Sequence, residues 1–201
     1  KIYKQMTNKE TKKETKLHLG CFSKKIHGFI NVDIREDVNP DVVDDICTLT
    51  KFENDSVDLI YACHVLEHLY RRDIPKVLSR WYDVLKSGGK IRIAVPDLQA
   101  LFEYYICFKD IKPLLHNIYG SQKHDYDYHY SGWDFNSLKT DLMTSGFKNV
   151  QRYDWRETDH FYIDDYSQAY LPEISYRTRQ IRKDGFGIKG KHVSLNVEAV
   201  K

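Results

Sequence analysis

The stretch KLHLGCFSKKIHGFINVD, Lys16 to Asp33, reads as strand, turn, link, strand. Leu17 and Leu19 alternate along a short strand that ends in Gly20-Cys21, and Phe29, Ile30 and Val32 form a second apolar run that ends in Asp33. A glycine at the tip of one parallel strand lets a ligand approach the backbone. An acid at the tip of the next accepts hydrogen bonds from ribose hydroxyls, as at nucleotide sites in open α/β sheets. A full glycine-rich turn carries two more glycines, and here Phe22 and Lys24 stand in their places. A buried strand with a tight turn gives the same pattern, so the stretch needs the rest of the chain to decide it.

Working outward, the pattern continues. Asn39-Pro40 marks a turn. Val42, Val43 and Ile46 form a third short strand with Asp44 and Asp45 near its end, and VDLIYA, Val57 to Ala62, is apolar enough for a strand buried on both faces. Ile74, Val77, Leu78, Trp81, Val84 and Leu85 recur at helical spacing behind Asp73, a candidate N-cap, with Pro75 in the first turn. Ser87-Gly88-Gly89 stops that helix, and KIRIAV, Lys90 to Val95, is a fifth strand ended by Pro96-Asp97. Leu98 to Tyr119 is helical and aromatic. GSQKHDYDYHYSGW, Gly120 to Trp133, is a long polar and aromatic loop of a kind that usually serves function. A helix from Asp134 to Ser145, a strand from Val150 to Tyr153 and a last alternating strand from His192 to Val200 complete the chain. The order predicts an α/β fold with a parallel sheet.

Composition bounds the rest. With 201 residues, 41% apolar and 30% charged, the chain predicts one globular domain with its own core. A net charge of +2 makes the whole molecule no magnet for polyanions. Charge is uneven, however. Residues 1–25 hold eight lysines against two glutamates, and Arg177, Arg179, Arg182, Lys183, Lys189 and Lys191 form a second basic run. Such runs mark solvated faces or a nucleic-acid footprint. Residues 1–15 show no apolar period and read as a basic tail or loose helix, with a single domain over 16–201. The cysteines Cys21, Cys47, Cys63 and Cys107 form no CxxC pair, and no signal peptide or membrane-spanning run appears, so reduced thiols in an intracellular protein are expected.

The ordered words LHLGC, GFINVDI, DDI, LIYACHVLEHL and LKSGGKIRIAVPDL resemble the class I S-adenosylmethionine-dependent methyltransferases, from about Lys16 to Val200. YGSQKHDYDYHYSGW and SLKTDLMTSGFKNV resemble the branch linked to polysaccharide and other glycan modification. The resemblance implies a Rossmann-like, seven-stranded, mostly parallel sheet with the last strand antiparallel and helices on both faces. It implies S-adenosylmethionine as cofactor and S-adenosylhomocysteine as product. It sets Gly20 and Cys21 beside the methionine part, Asp33 on the ribose, Asp45 and Ile46 on the adenine, and Cys63 and His64 at the sulfonium end. His18 replaces an acid common in the first motif. Phe22 replaces the second glycine, either narrowing the methionine slot or folding outward.

A hydroxyl acceptor must lose a proton, and histidine is the side chain suited to take it near neutrality. His129, in the aromatic loop, is the favoured base, with Asp97 or Asp125 orienting it or binding acceptor hydroxyls; His124 is the next candidate. Tyr126, Tyr128, Tyr130 and Trp133 are a candidate platform for sugar faces or bases, and residues 98–133 a lid over the acceptor. The expected activity is metal-independent O-methylation of a sugar or glycan-linked sugar. A module that binds the cofactor without turnover and an RNA methyltransferase are alternatives. A zinc hydrolase built on His64-x-x-Glu67-His68 is a third, since His64 and His68 would share one face of a helix.

Overall fold

The computed structural model describes residues 14–173, 183–184 and 187–201. Most of the basic N-terminal segment, and Arg177, Arg179 and Arg182 of the second basic run, lie outside the described residues. In chain order the elements are β1 (Lys16–Leu19), β2 (Ile30–Asp33), β3 (Val42–Val43), β4 (Val57–Cys63), α1 (Ile74–Val84), β5 (Leu85–Pro96), α2 (Leu98–Phe108) and α3 (Leu115–Tyr119). Then come α4 (Phe135–Thr144), β6 (Lys148–Arg152), β7 (Tyr170–Pro172), β8 (Lys183–Asp184), β9 (Gly187–Ile188), β10 (Gly190–His192) and β11 (Ser194–Val200).

Seven strands form one sheet in the order β3-β2-β1-β4-β5-β11-β6. Strand β11 runs antiparallel to both neighbours, and the pairs from β3 through β5 are parallel. This is the expected Rossmann-like sheet with its last strand reversed. His192, expected as the first residue of the last strand, belongs instead to β10, which pairs with β7.

Side-chain alternation makes the two faces chemically different. Leu17, Leu19, Val32, Ile60, Ala62, Ile91, Ile93, Val95, Leu195, Val197 and Ala199 enter one core with helices α1 and α4. Helix α1 drives that core because Ile74, Val77, Leu78, Trp81 and Val84 share one buried stripe. Asp73 does sit at its N-cap position, but its side chain makes no capping bond. The helix ends at Val84, before the expected glycines, because Leu85 already pairs with Val57; residues 86–89 then bulge before Lys90 pairs with Leu59.

The opposite face carries His18, Asn31, Tyr61, Arg92, Ser194, Asn196 and Glu198. Residues 153–169, with 3-10 turns at Trp155–Glu157 and Tyr166–Gln168, contribute to its cover. His18 stacks on Tyr61, Tyr61 lies against His160, and the Tyr61 hydroxyl donates to Asp165 at 2.6 Å. Asn31 accepts from His18 Nδ1 at 3.1 Å and from the Ile26 amide at 2.8 Å, and so pins the β1–β2 link. His18 thus helps to organise the β1–β2 link.

Burial holds the His18 imidazole neutral, lowering its pKa to about 4. An unfolded histidine titrates near 6.5, so between pH 6.5 and pH 4 the unfolded chain binds the extra proton. The stability contributed by neutral His18 is complete above pH 6.5 and is lost as pH falls toward 4. Denaturant unfolding at pH 7.5 and pH 5.5 should show a loss of about 1 kcal/mol that His18→Gln removes. The same loss in the variant would assign the acid sensitivity elsewhere.

Beyond β5 the chain leaves and returns at one point. Asp97 and Trp133 form a parallel bridge, the Leu98 amide donates to the Trp133 carbonyl at 3.0 Å, and residues 98–133 fold between them. Trp133 is fully buried, with its indole N–H on Asp141 at 2.7 Å. It anchors the loop in the core, so the expected aromatic platform lacks it. Helix α4 follows, capped by Asp134 through a reciprocal box with Ser137.

Candidate cofactor and acceptor site

Parallel register sets Leu19 beside Val32 and Ala62, and Cys63 beside Ala94, so Asp33, Gly20 and His64 follow one another across the carboxyl edge of the sheet. Gly20 has φ +63°, and a Cβ there would lie 2.3 Å from Val65 Cγ2. The glycine is required by the close approach of the segment after β4. Phe22 follows in the left-handed region at φ +43°, a conformation a glycine would adopt without strain. Its ring folds outward, 49% exposed, with the Arg35 guanidinium 5.3 Å above it.

Asp33 is buried and binds the glycine turn to its own strand. Oδ2 accepts from the Phe22 amide at 2.8 Å and Oδ1 from the Arg35 amide at 2.9 Å. Each carboxylate oxygen keeps a second lone pair, enough to take ribose hydroxyls. At the tip of β3, Asp45 Oδ1 accepts from the Cys47 amide, while Asp44 accepts from the Asp45 amide, the Thr50 hydroxyl and the Lys51 amide. The Ile46 carbonyl takes the Trp81 indole at 2.8 Å. Together these bonds fix the turn that carries Asp45 and Ile46.

Cys21 is buried, and burial pushes its thiol up to about 12. Burial also raises the Cys63 thiol well above its ordinary value, with the Asp165 carboxylate adding to the shift. Neither sulfur is a thiolate at neutral pH, so neither competes as a nucleophile.

His64 closes β4 with φ +50°. Its Nε2 donates to Ser194 Oγ at 3.1 Å, because the Ser194 hydroxyl spends its own proton on Asn196 at 2.9 Å. Its Nδ1 lies 3.0 Å from Glu67 Oε1. Residues 66–68 form a 3-10 turn, and His64 belongs to the strand end. The helix on which a zinc hydrolase would have seated His64 and His68 is therefore absent from this segment.

Glu67 is the feature that the sequence reading placed only in that alternative. It is 0% exposed, and its carbonyl holds the amides of Tyr130 and Ser131 at 2.8 and 3.2 Å. Burial pushes its carboxyl up, and the facing His64, His68 and His129 pull it further down, so it lies below the usual carboxylate value. His129 lies across from it. Its Nδ1 meets the Asn117 carbonyl at 2.9 Å, and its ring makes a T-shaped contact with His68 at 4.7 Å. Burial lowers the His129 pKa more than Glu67 raises it, so the ring is neutral at pH 7.

The expected partners of His129 lie elsewhere. Asp97 caps α2 through the Ala100 amide at 3.3 Å and pairs with Arg152 at 3.1 Å. Asp125 is exposed on the loop. Asp127 is the loop's organising carboxylate, accepting from the Ser121 hydroxyl and from the amides of Ser121 and Lys123. His124 approaches Arg35 Nη1 at 3.5 Å, so the loop spans from the tip of β4 to the tip of β2. Tyr128 and Tyr130 stack at 6.3 Å, and Tyr70, for which no sequence signal pointed to this loop, joins Tyr130 at 4.5 Å. A signal was present: in DYDYHY the tyrosines are exposed and Asp127 and His129 half-buried, alternating with period two.

This sheet order, with its one reversed strand, is the class I methyltransferase fold. A family model described as a methyltransferase domain matches residues 23–93. The fold is shared with a SAM-dependent methyltransferase from Archaeoglobus fulgidus, 18% identical, covering 94% of this chain and 86% of that one, at a TM-score of 0.55. A SAM-dependent methyltransferase from Thermotoga maritima is 12% identical over 93% and 82% of the two chains, at 0.54. One from Methanosarcina mazei is 13% identical over 94% and 93%, also at 0.54. No curated protein matches the sequence significantly. Among the described residues no helix is long and apolar enough to cross a membrane.

Proposed function

We propose that the chain is an S-adenosylmethionine-dependent O-methyltransferase acting on a hydroxyl of a sugar or glycan-linked sugar. The observation that carries the cofactor reading is Asp33: a buried carboxylate at the tip of β2, tied to the glycine turn of β1, with lone pairs to spare. Gly20 and Cys21 would lie along the methionine part, Asp33 on the ribose, Asp45 and Ile46 at the adenine, and Cys63 and His64 at the sulfonium end. When bound, the cofactor supplies an electrophilic methyl group carried on a cationic sulfur.

The chain's own part is alignment, exclusion of water and handling of one proton. The loop 120–133 sits over the strand tips, held by the Glu67 carbonyl at one end and near Arg35 at the other. The exposed rings of Tyr70, Tyr128 and Tyr130 offer flat apolar faces with hydroxyl edges beside His129, which suits a sugar acceptor. His129, with Nδ1 committed to a carbonyl, keeps its Nε2 lone pair for an acceptor hydroxyl proton.

Calorimetry with S-adenosylmethionine tests the reading. Asp33→Ala should weaken binding by roughly 1–3 kcal/mol, the value of hydrogen bonds to a charged acceptor. Asp33→Asn, which keeps one acceptor oxygen, should fall between. An affinity that survives Asp33→Ala unchanged, or a wild-type protein that takes up no cofactor, removes the assignment.

A further inference from the structure

We infer that Glu67, His68 and His129 form a binding site for a first-row divalent metal ion of the zinc or manganese class. One ligand atom from each lies within 4.8 Å of the other two. Ligand atoms around an ion with bonds of ~2.1 Å stand roughly 3–3.5 Å apart, so modest side-chain rotation closes the set.

Three independent features single out this cluster from an ordinary polar contact. The first is Glu67 itself. His64 Nδ1 approaches Oε1 to 3.0 Å, and neither carboxylate oxygen has a hydrogen-bond partner among the described residues. A carboxylate that is 0% exposed and aimed at histidines without such partners is costly unless a cation meets it.

The second is the tautomer of the two histidines. His129 Nδ1 lies 2.9 Å from the Asn117 carbonyl, and His68 Nδ1 lies 3.1 Å from the Tyr128 carbonyl. A carbonyl only accepts, so both Nδ1 atoms carry a proton, and in the neutral ring the lone pair is then on Nε2. Holding one ring nitrogen on a backbone carbonyl is how proteins orient a histidine that ligates a metal through the other.

The third is accessibility. His68 and His129 are half-buried and stand beside the exposed Tyr128 and Tyr130, so an ion has a way in and keeps coordination positions open. Two imidazoles and one carboxylate are a donor set for zinc, manganese or iron, and three protein ligands leave room for others. On the methyltransferase reading, on which this further role rests, the open positions hold oxygens of the acceptor. A bound cation lowers the pKa of a hydroxyl it holds. His129 then serves as ligand, and the expectation of metal-independent chemistry gives way.

The test uses the full chain stripped with chelator, then titrated calorimetrically with Zn²⁺ and, separately, Mn²⁺. One equivalent is expected for the wild type, with at least tenfold weaker binding in Glu67→Gln and in the double variant His68→Gln/His129→Gln. Circular dichroism of the same samples checks folding. Should a variant unfold, Co²⁺ added to the wild type still reports, through visible bands of imidazole ligation. No stoichiometric binding to the wild type, Co²⁺ without those bands, or unchanged affinity in the folded double variant overturns the site. S-adenosylmethionine titrated into the same samples separates the two proposals. Cofactor binding without metal binding leaves the methyltransferase reading alone standing, and metal binding without cofactor binding leaves the metal site.

Discussion

His129→Ala is expected to lower turnover by about 10²–10⁴-fold, the usual contribution of a positioned proton-transfer group. The dissociation constant for S-adenosylmethionine should stay within about twofold, since the proposed cofactor residues Gly20, Asp33, Asp45 and Ile46 lie at the tips of β1, β2 and β3, whereas His129 lies in the loop and is held by the Asn117 carbonyl of α3. The pH profile makes the expectation sharper. Burial sets the His129 pKa below the ordinary histidine value. The free Nε2 lone pair is needed whether it takes a proton or holds an ion. Activity should therefore persist from neutrality down to below pH 6.5 before failing, and that acid limb should vanish in the variant. A fully active His129→Ala enzyme would remove the residue from the chemistry. A variant that loses cofactor affinity in parallel with turnover would show instead that His129 supports the site's shape.

His129 and its neighbours divide what the chain discloses locally from what only the fold brings together. The sheet was legible because alternation is local: Leu17 and Leu19, Ile60 and Ala62, Ile91, Ile93 and Val95 each declare a face within a few residues. The strand tips were legible for the same reason, since Gly20, Asp33 and Asp45 each end a short apolar run. The surroundings of His129 were not. Glu67 and His129 are brought together only because the loop returns to Trp133, whose indole is held by Asp141 in the next helix. No spacing rule links a buried carboxylate after β4 to a histidine beyond α3. Within DYDYHY the period-two alternation groups Asp125, Asp127 and His129 against the three tyrosines, and only the folded loop's hydrogen bonds single out Asp127 over Asp125 as the acid that shapes it. The polar face of the sheet is equally non-local: His18 makes sense only once Asn31, Tyr61 and His160 are seen around it.

Gly20 carries the second large expectation, and for a reason different from the one its sequence context suggests. A glycine at a strand tip invites the reading that a ligand needs the space. The structure gives the space to Val65 first. A Cβ at position 20 would meet Val65 Cγ2 at 2.3 Å and Cγ1 at 3.1 Å, with φ already at +63°. Clearing both methyls would require turning the restricted β-branched side chain so that its Cβ–H faces position 20, and Val65 Cβ itself would still lie at 3.3 Å. Gly20→Ala should therefore force β1 and the segment after β4 apart, at a cost of about 1 kcal/mol for the backbone and 1–3 kcal/mol for overpacking. Val65 sits between His64 and Leu66, so the same displacement moves His64 away from Ser194 and should reduce cofactor affinity as well as stability. The two contributions separate in a double-mutant cycle with Val65→Ala. Truncating Val65 removes both methyls, so the overpacking part should disappear in the double variant and the backbone part remain. A coupling energy near zero would mean that Gly20 and Val65 do not touch, and the tips of β1 and β4 would then lie further apart than a shared cofactor site allows.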